Sequence, residues 1–139
     1  MMALYNAFSQ FCATIVAPLA NLATRIYIGY FIFFVSGLQK ISDMEETIEL
    51  FEDDYAVPFL PAEPAAYLAT IGELVLPVLL ILGLFTRFSA AGLFVMTLVI
   101  QIWVLPLDLH YVWMAALALL VGYGGDKFSL DKLLLKDKH

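Results

Sequence analysis

Four apolar runs, each close to the length that crosses a lipid bilayer, constrain this chain more than any other feature. They cover about residues 19–38, 65–85, 88–105 and 109–124. At about 1.5 Å rise per residue, a helix needs about 20 mostly apolar residues to cross the ~30 Å hydrocarbon layer. The fourth run is short, so it borrows flanking residues, thins the bilayer or stands with little tilt. Lipid offers the backbone no hydrogen bonds, so each run must close its own as a helix, and no alternating barrel pattern is present. Composition agrees: 63% of the 139 residues are hydrophobic and 14% are charged, against roughly 25% charged in soluble globular chains. The expected fold is all-α, an integral membrane four-helix bundle forming one domain over residues 1–139.

Charge placement orients the bundle, because Lys and Arg near helix ends stay cytoplasmic. Arg87 lies between the second and third runs, and Lys127, Lys132, Lys136 and Lys138 lie in the tail. The connection Ile41 to Pro64 has no Lys or Arg and holds eight carboxylates: Asp43, Glu45, Glu46, Glu49, Glu52, Asp53, Asp54 and Glu63. Both termini are therefore expected in the cytoplasm, with the chain multi-pass in the membrane. Ser42 to Glu45 reads as a capping box, and Ile41, Met44, Ile48, Phe51 and Tyr55 recur at helical spacing. An amphipathic helix over about 42–55 is expected on the outer surface or over the bundle mouth, its carboxylates turned to water. Leu4, Tyr5, Phe8, Phe11, Cys12 and Ile15 suggest a short interfacial helix stopping near Pro18. Ser129 can cap another at the C-terminus, where Leu130, Leu133 and Leu134 rest on the inner surface and the lysines meet anionic lipid. The first 18 residues carry no basic segment of the kind that opens a cleaved signal peptide.

Ionisable residues inside spans cost roughly 2.5–3.5 kcal/mol each on insertion scales and call for a partner or a task. Arg25 and Glu73 stand out. Counting helical rise from Lys40 and Pro64 puts Arg25 and Glu73 at heights about 9 Å apart. A guanidinium reaching up and a carboxylate reaching down could then pair, directly or through water. Arg25, Gly29, Ser36 and Lys40 share one stripe of the first helix, and Thr70, Glu73 and Pro77 share one of the second. Gln101 comes to a similar height, so Gln39, Lys40, Thr70, Glu73 and Gln101 form a polar cluster, with Asp108, His110 and Trp113 at its rim. Such a cluster can be helix-to-helix glue that binds nothing. It can also be a pocket in which Glu73 or His110 exchanges protons while Arg25 or Lys40 faces an electron-rich group such as a quinone carbonyl. Tyr111, Trp113 and Trp103 read first as an aromatic belt, and Pro77 as a kink whose freed carbonyls line a cavity.

Other chemistries are excluded or weakened. A single cysteine, Cys12, rules out an internal disulfide, a CxxC redox pair or a multi-cysteine metal site. The only other histidine is His139, so His110 makes a poor metal ligand, and no metal site is expected. A net charge of −6 argues against nucleic acid. Gly29, Ala90 and Gly92 permit close helix contact and hence a homodimer.

Several stretches resemble the DoxX family of membrane proteins. Arg25, Gly29 and Ser36-Gly37-Leu38-Gln39-Lys40 are similar to its opening signature, and Gly72-Glu73-Leu74 with Leu82-Gly83-Leu84-Phe85-Thr86-Arg87 resembles its second helix and inner turn. Gly122-Tyr123-Gly124 leading to Ser129-Leu130-Asp131 resembles its closing stretch, with Tyr123 where proline is common. The likeness covers about residues 20 to 135. Leu50-Phe51 to Leu60-Pro61 further resembles DoxX-type subunits encoded beside metal- or oxidative-stress peptide-modification genes. The family takes its name from relatives of a thiosulfate:quinone oxidoreductase, and most members have no assigned reaction.

The resemblance implies an accessory subunit of a redox or stress-protection system, with soluble partner proteins, that binds a quinone or similar amphipathic molecule around Arg25, Glu73 and Gln101. No covalent cofactor and no catalytic residue are expected in this chain alone, so electrons would pass through a bound quinone or a partner's centre. The competing expectation is a non-catalytic anchor whose acidic helix and lysine-bearing tail hold soluble partners. Small-molecule or ion transport is disfavoured by the lack of repeated inward-facing acidic or histidine positions.

Overall fold

The computed structural model describes residues 1–135. Lys136, Lys138 and His139 lie outside the described residues. Among the described residues six helices follow one another: α1 Met2–Ser42, α2 Met44–Asp53, α3 Ala62–Leu82, α4 Thr86–Val104, α5 Asp108–Tyr123 and α6 Leu130–Leu134. Among the described residues there is no strand. α1, α3 and α4 are long and apolar enough to cross a membrane, and α5 is a shorter apolar helix. Ile28 and Phe33 of α1, Leu80 of α3, Ala90 and Leu93 of α4 and Leu117 and Leu120 of α5 form the common core. Large apolar side chains such as Phe31, Ile71, Val95 and Leu119 stand exposed around it, as a lipid-facing exterior requires.

α1 departs from the expected short interfacial helix ending near Pro18. It runs unbroken for 41 residues, about 60 Å. Proline lacks an N–H and crowds the carbonyl four residues back, which usually kinks a helix. Here the preceding turn widens to π-helix over Cys12–Val16, and Lys127 Nζ donates to Thr14 O, the carbonyl that Pro18 cannot bond, at 2.6 Å. No residue of Met2–Phe11 is buried. A second π-helical stretch, Tyr27–Phe34, crosses the core. Beyond it α1 approaches α3 closely at Gly37, where a Cβ would lie 3.0 Å from Glu73 O. That carbonyl is the one Pro77 leaves without an intrahelical donor.

α2 begins one residue later than a Ser42 cap would place it. The Ser42 hydroxyl donates to Gln39 O at 2.7 Å and closes the last turn of α1. Asp43 takes the cap instead, accepting from Glu46 N at 3.0 Å. Ile41, the first member of the apolar stripe, thus stays on α1 and is exposed. Met44, Ile48, Phe51 and Tyr55 pack on Ala62, Ala65, Ala66 and Ala69 of α3. The alanines let α2 lie close on the bundle, and its carboxylates are exposed.

The turn between α3 and α4 is specified residue by residue. Gly83 adopts φ 70°, a left-handed conformation that only glycine enters without steric cost. Gly83 N donates to Leu80 O at 3.1 Å and Leu84 N to Leu79 O at 2.9 Å, the two bonds of a Schellman motif. Phe85 follows at φ 50°, costing about 1–2 kcal/mol for a residue with a Cβ. At its other end α4 winds as π-helix over Ile100–Val104. Leu105 is then extended, as expected of the residue before Pro106.

Candidate functional site

Two polar assemblies occupy opposite ends of the bundle. Helical side chains tilt toward their own N-terminus, and this rule decides which residues meet. Arg25 reaches down α1 toward Asn21, and Lys40 reaches down α1 toward Ser36. Glu73 reaches up α3 toward its start. The expected Arg25–Glu73 pair requires both side chains to point the other way, and it does not form.

Arg25 is fully buried at the end that carries the tail. Its Nε donates to Asn21 Oδ1 at 3.0 Å, its Nη1 to Leu80 O at 3.4 Å and Ile81 O at 3.3 Å, and its Nη2 to Phe128 O. The cation thus sits on the last carbonyls of α3, the negative end of that helix. Asn21 Nδ2 in turn donates to Gly124 O at 2.9 Å. Asp131 completes the knot: its carboxylate accepts from Phe85 N at 2.7 Å and Thr86 N at 2.8 Å, and its own N–H donates to Gly83 O at 2.9 Å. One carboxylate therefore caps α4 and holds the left-handed Phe85. The Gly83–Arg87 turn and the Ser129–Asp131 stretch are one structural unit, with Arg25 at its centre. Asn21 and Asp131 carry this unit and were not singled out as site residues; the signal was the Ser-Leu-Asp at the head of α6, where Ser129 Oγ accepts from Lys132 N at 3.3 Å.

At the opposite end lies a cavity of about 560 Å³, within the ordinary range for small-molecule sites. Its walls are mostly apolar, and Ser36, Lys40, Tyr55, Glu73, His110 and Trp113 supply polar groups. Lys40 Nζ lies 2.9 Å from Glu73 Oε2 and donates to Ser36 Oγ at 2.8 Å. The Glu73 side chain is 4% exposed and that of Lys40 20%, so the carboxylate is the deeper partner. The rim contains Phe59, Leu68, Val95 and Leu105, apolar residues exposed on the outside of the bundle. The remaining expected members lie elsewhere. Thr70 is buried beside the wall, its hydroxyl 2.7 Å from Ala66 O and 3.8 Å from Met44 Sδ. Gln101 stands behind His110, with Oε1 2.7 Å from His110 Nδ1 and accepting from Leu107 N at 3.0 Å. Gln39 and Asp108 are exposed; one position before Lys40, Gln39 is turned by about 100° around α1 and flanks the Ser36–Lys40 stripe. His110 is 4% exposed and belongs to the wall rather than a solvated rim. Trp113 packs between His110, ring centroids 5.0 Å apart, and Phe33, at 6.4 Å. Its indole N–H is buried with no partner among the described residues. Sequence reasoning missed the loop residues Val57, Phe59 and Leu60 as wall, since an irregular loop has no periodicity to read, and Phe33, which reads as one more apolar residue of its span. Among the described residues no three His, Cys, Asp or Glu side chains gather as a metal site.

A family model described as DoxX matches residues 20–106. An uncharacterized protein of Haemophilus influenzae is 33% identical over 119 residues, covering 75% of this chain and 76% of the relative. No solved structure matches the chain. The residues matched by the family include Arg25, Lys40 and Glu73 but end before His110 and Asp131.

Proposed function

Because the chain belongs to the DoxX family and is a multi-pass membrane protein, we propose that it is an accessory membrane subunit of a redox or stress-protection system that holds a quinone-like amphipathic molecule in its cavity. In this reading α1, α3, α4 and α5 all cross a bacterial inner membrane as a four-helix bundle, with both termini cytoplasmic and α2 covering the outer mouth. The observation that carries it is the cavity: apolar walls, a few convergent polar side chains, and a rim of lipid-facing residues through which a hydrophobic molecule enters from the bilayer. Lys40, tethered by Glu73 and Ser36, offers an ammonium to a ligand oxygen. Tyr55, in the loop after α2, adds a hydroxyl at the mouth. Arg25 is assigned no ligand; its donors are spent on α3 and the tail. A quinone supplies the redox chemistry when bound. This chain's residues bind it, orient it and exclude water.

Purification in mild detergent followed by mass spectrometry of co-purifying small molecules and proteins tests the reading. A quinoid molecule retained by the native chain and lost from Glu73→Gln, with the bundle still assembled, is the expected result. A chain that retains soluble partners but no small molecule would support the anchor reading instead.

A further inference from the structure

His110 is held in a way that the ion pair beside it is not. Gln101 Oε1 accepts from Leu107 N, and a backbone N–H can only donate, so the Gln101 atom at that point is the oxygen and not the amide nitrogen. The same oxygen lies 2.7 Å from His110 Nδ1. Two acceptors do not share a proton, so Nδ1 carries the hydrogen, and in the neutral ring Nε2 is left with a lone pair. The turn that brings this about is the π-helical end of α4, which closes at Leu105 and returns Leu107 beneath the Gln101 side chain. Gln101 is not part of the cavity wall, whereas His110 is. The ring edge turned away from Gln101, bearing Nε2, is therefore the edge presented to the cavity. Among the described residues no hydrogen bond reaches it.

An acceptor on a ring that is 4% exposed, facing a mostly apolar cavity without a donor, selects its ligand. An O–H or N–H group satisfies it, and a carbonyl oxygen sets lone pair against lone pair. We infer that the cavity takes the reduced, dihydroxy form of a quinoid ligand, with one O–H donated to His110 Nε2, in preference to the oxidised dicarbonyl form. The inference rests on the quinoid reading of the cavity above and adds the oxidation state. Gln101 is a positioning residue: it touches no ligand and fixes which nitrogen of His110 is free.

Two measurements test it. In nanodiscs carrying the purified chain, equilibrium dialysis of a short-tailed benzoquinol, kept reduced under argon, and of the matching benzoquinone gives the ratio of their affinities. About tenfold tighter binding of the quinol is expected, the worth of one hydrogen bond that the oxidised form cannot make. The ratio should fall close to one in His110→Phe, and in Gln101→Leu, which frees the tautomer without removing the imidazole. Equal binding of the two forms, or a ratio unchanged in both variants, would overturn the inference and leave the quinoid reading standing. Binding of neither form would overturn both. Independently of any ligand, ¹⁵N spectra of imidazole-labelled His139→Gln protein report the His110 tautomer: a protonated Nδ1 and a pyridine-type Nε2 are expected, and a protonated Nε2 contradicts the assignment.

Discussion

At the tail end of the bundle a buried cation, Arg25, is met by backbone carbonyls of α3 and of the chain before α6. At the other end Lys40 meets a side-chain carboxylate, Glu73, in the wall of a cavity. Both are basic residues on α1, yet the two surroundings work differently. Backbone carbonyls are fixed by the helices that own them, so the Arg25 assembly is spent on locking the α3–α4 turn to the tail. The Lys40–Glu73 pair, by contrast, uses side chains, and it lines the same cavity as Trp113, whose indole N–H has no partner among the described residues, and His110, whose Nδ1 alone is bonded. Among the described residues the tail unit also leaves one buried group unmet, the Thr86 hydroxyl, so the two ends differ in the ligand-sized cavity that one of them lines rather than in every group being satisfied.

The sharpest way to break this comparison is at Arg25. Arg25→Met leaves the acceptors of Asn21, Leu80, Ile81 and Phe128 without their donor, and should cost about 3–5 kcal/mol, read as a large fall in apparent melting temperature in detergent. Gly83→Ala comes next. It adds a left-handed strain and a Cβ that would sit 2.2 Å from Arg25 Nη1, and should cost about 2–3 kcal/mol in the same assay. Asp131→Asn keeps the shape but replaces a two-oxygen acceptor by one, a loss of about 1–2 kcal/mol. Glu73→Gln belongs to the other region and should behave in the opposite sense. Thermal stability changes by less than about 1 kcal/mol, because Lys40 is partly exposed and the amide oxygen still accepts, while ligand retention is lost. A Glu73→Gln protein as unstable as Arg25→Met would erase the distinction. Smallest of all, Phe85→Gly relieves a positive φ at an exposed site and should stabilise by about 0.5–1 kcal/mol.

Three of the expected spans were legible as long apolar helices because hydrophobic length is a direct physical requirement of lipid, and the DoxX likeness because its short motifs keep their order. What the sequence hid was direction and partnership. Helical counting placed Arg25 and Glu73 at compatible heights, but pairing depends on where side chains lean, and the tilt toward each helix's N-terminus sends them apart. Asp131 bonds Thr86 from 45 positions away, a contact no local pattern announces even though both ends lie in recognised motifs. Pro18 read as a stop because proline usually is one; a widened turn and a lysine from the tail carry α1 through it. His110 reads as a rim residue because it stands at the start of the fourth apolar run, whereas it is 4% exposed and Gln101, nine positions earlier, holds its ring in the cavity wall.

The most direct test of the account is where a photoreactive quinone analogue attaches when illuminated with the protein in native membranes. Labelling confined to peptides of the cavity wall, around Leu68, Met96 and His110, competed away by unlabelled quinone and unchanged in Phe85→Gly, is the predicted result. Labelling spread along the lipid-facing surface without competition, or concentrated near Arg25, would contradict it.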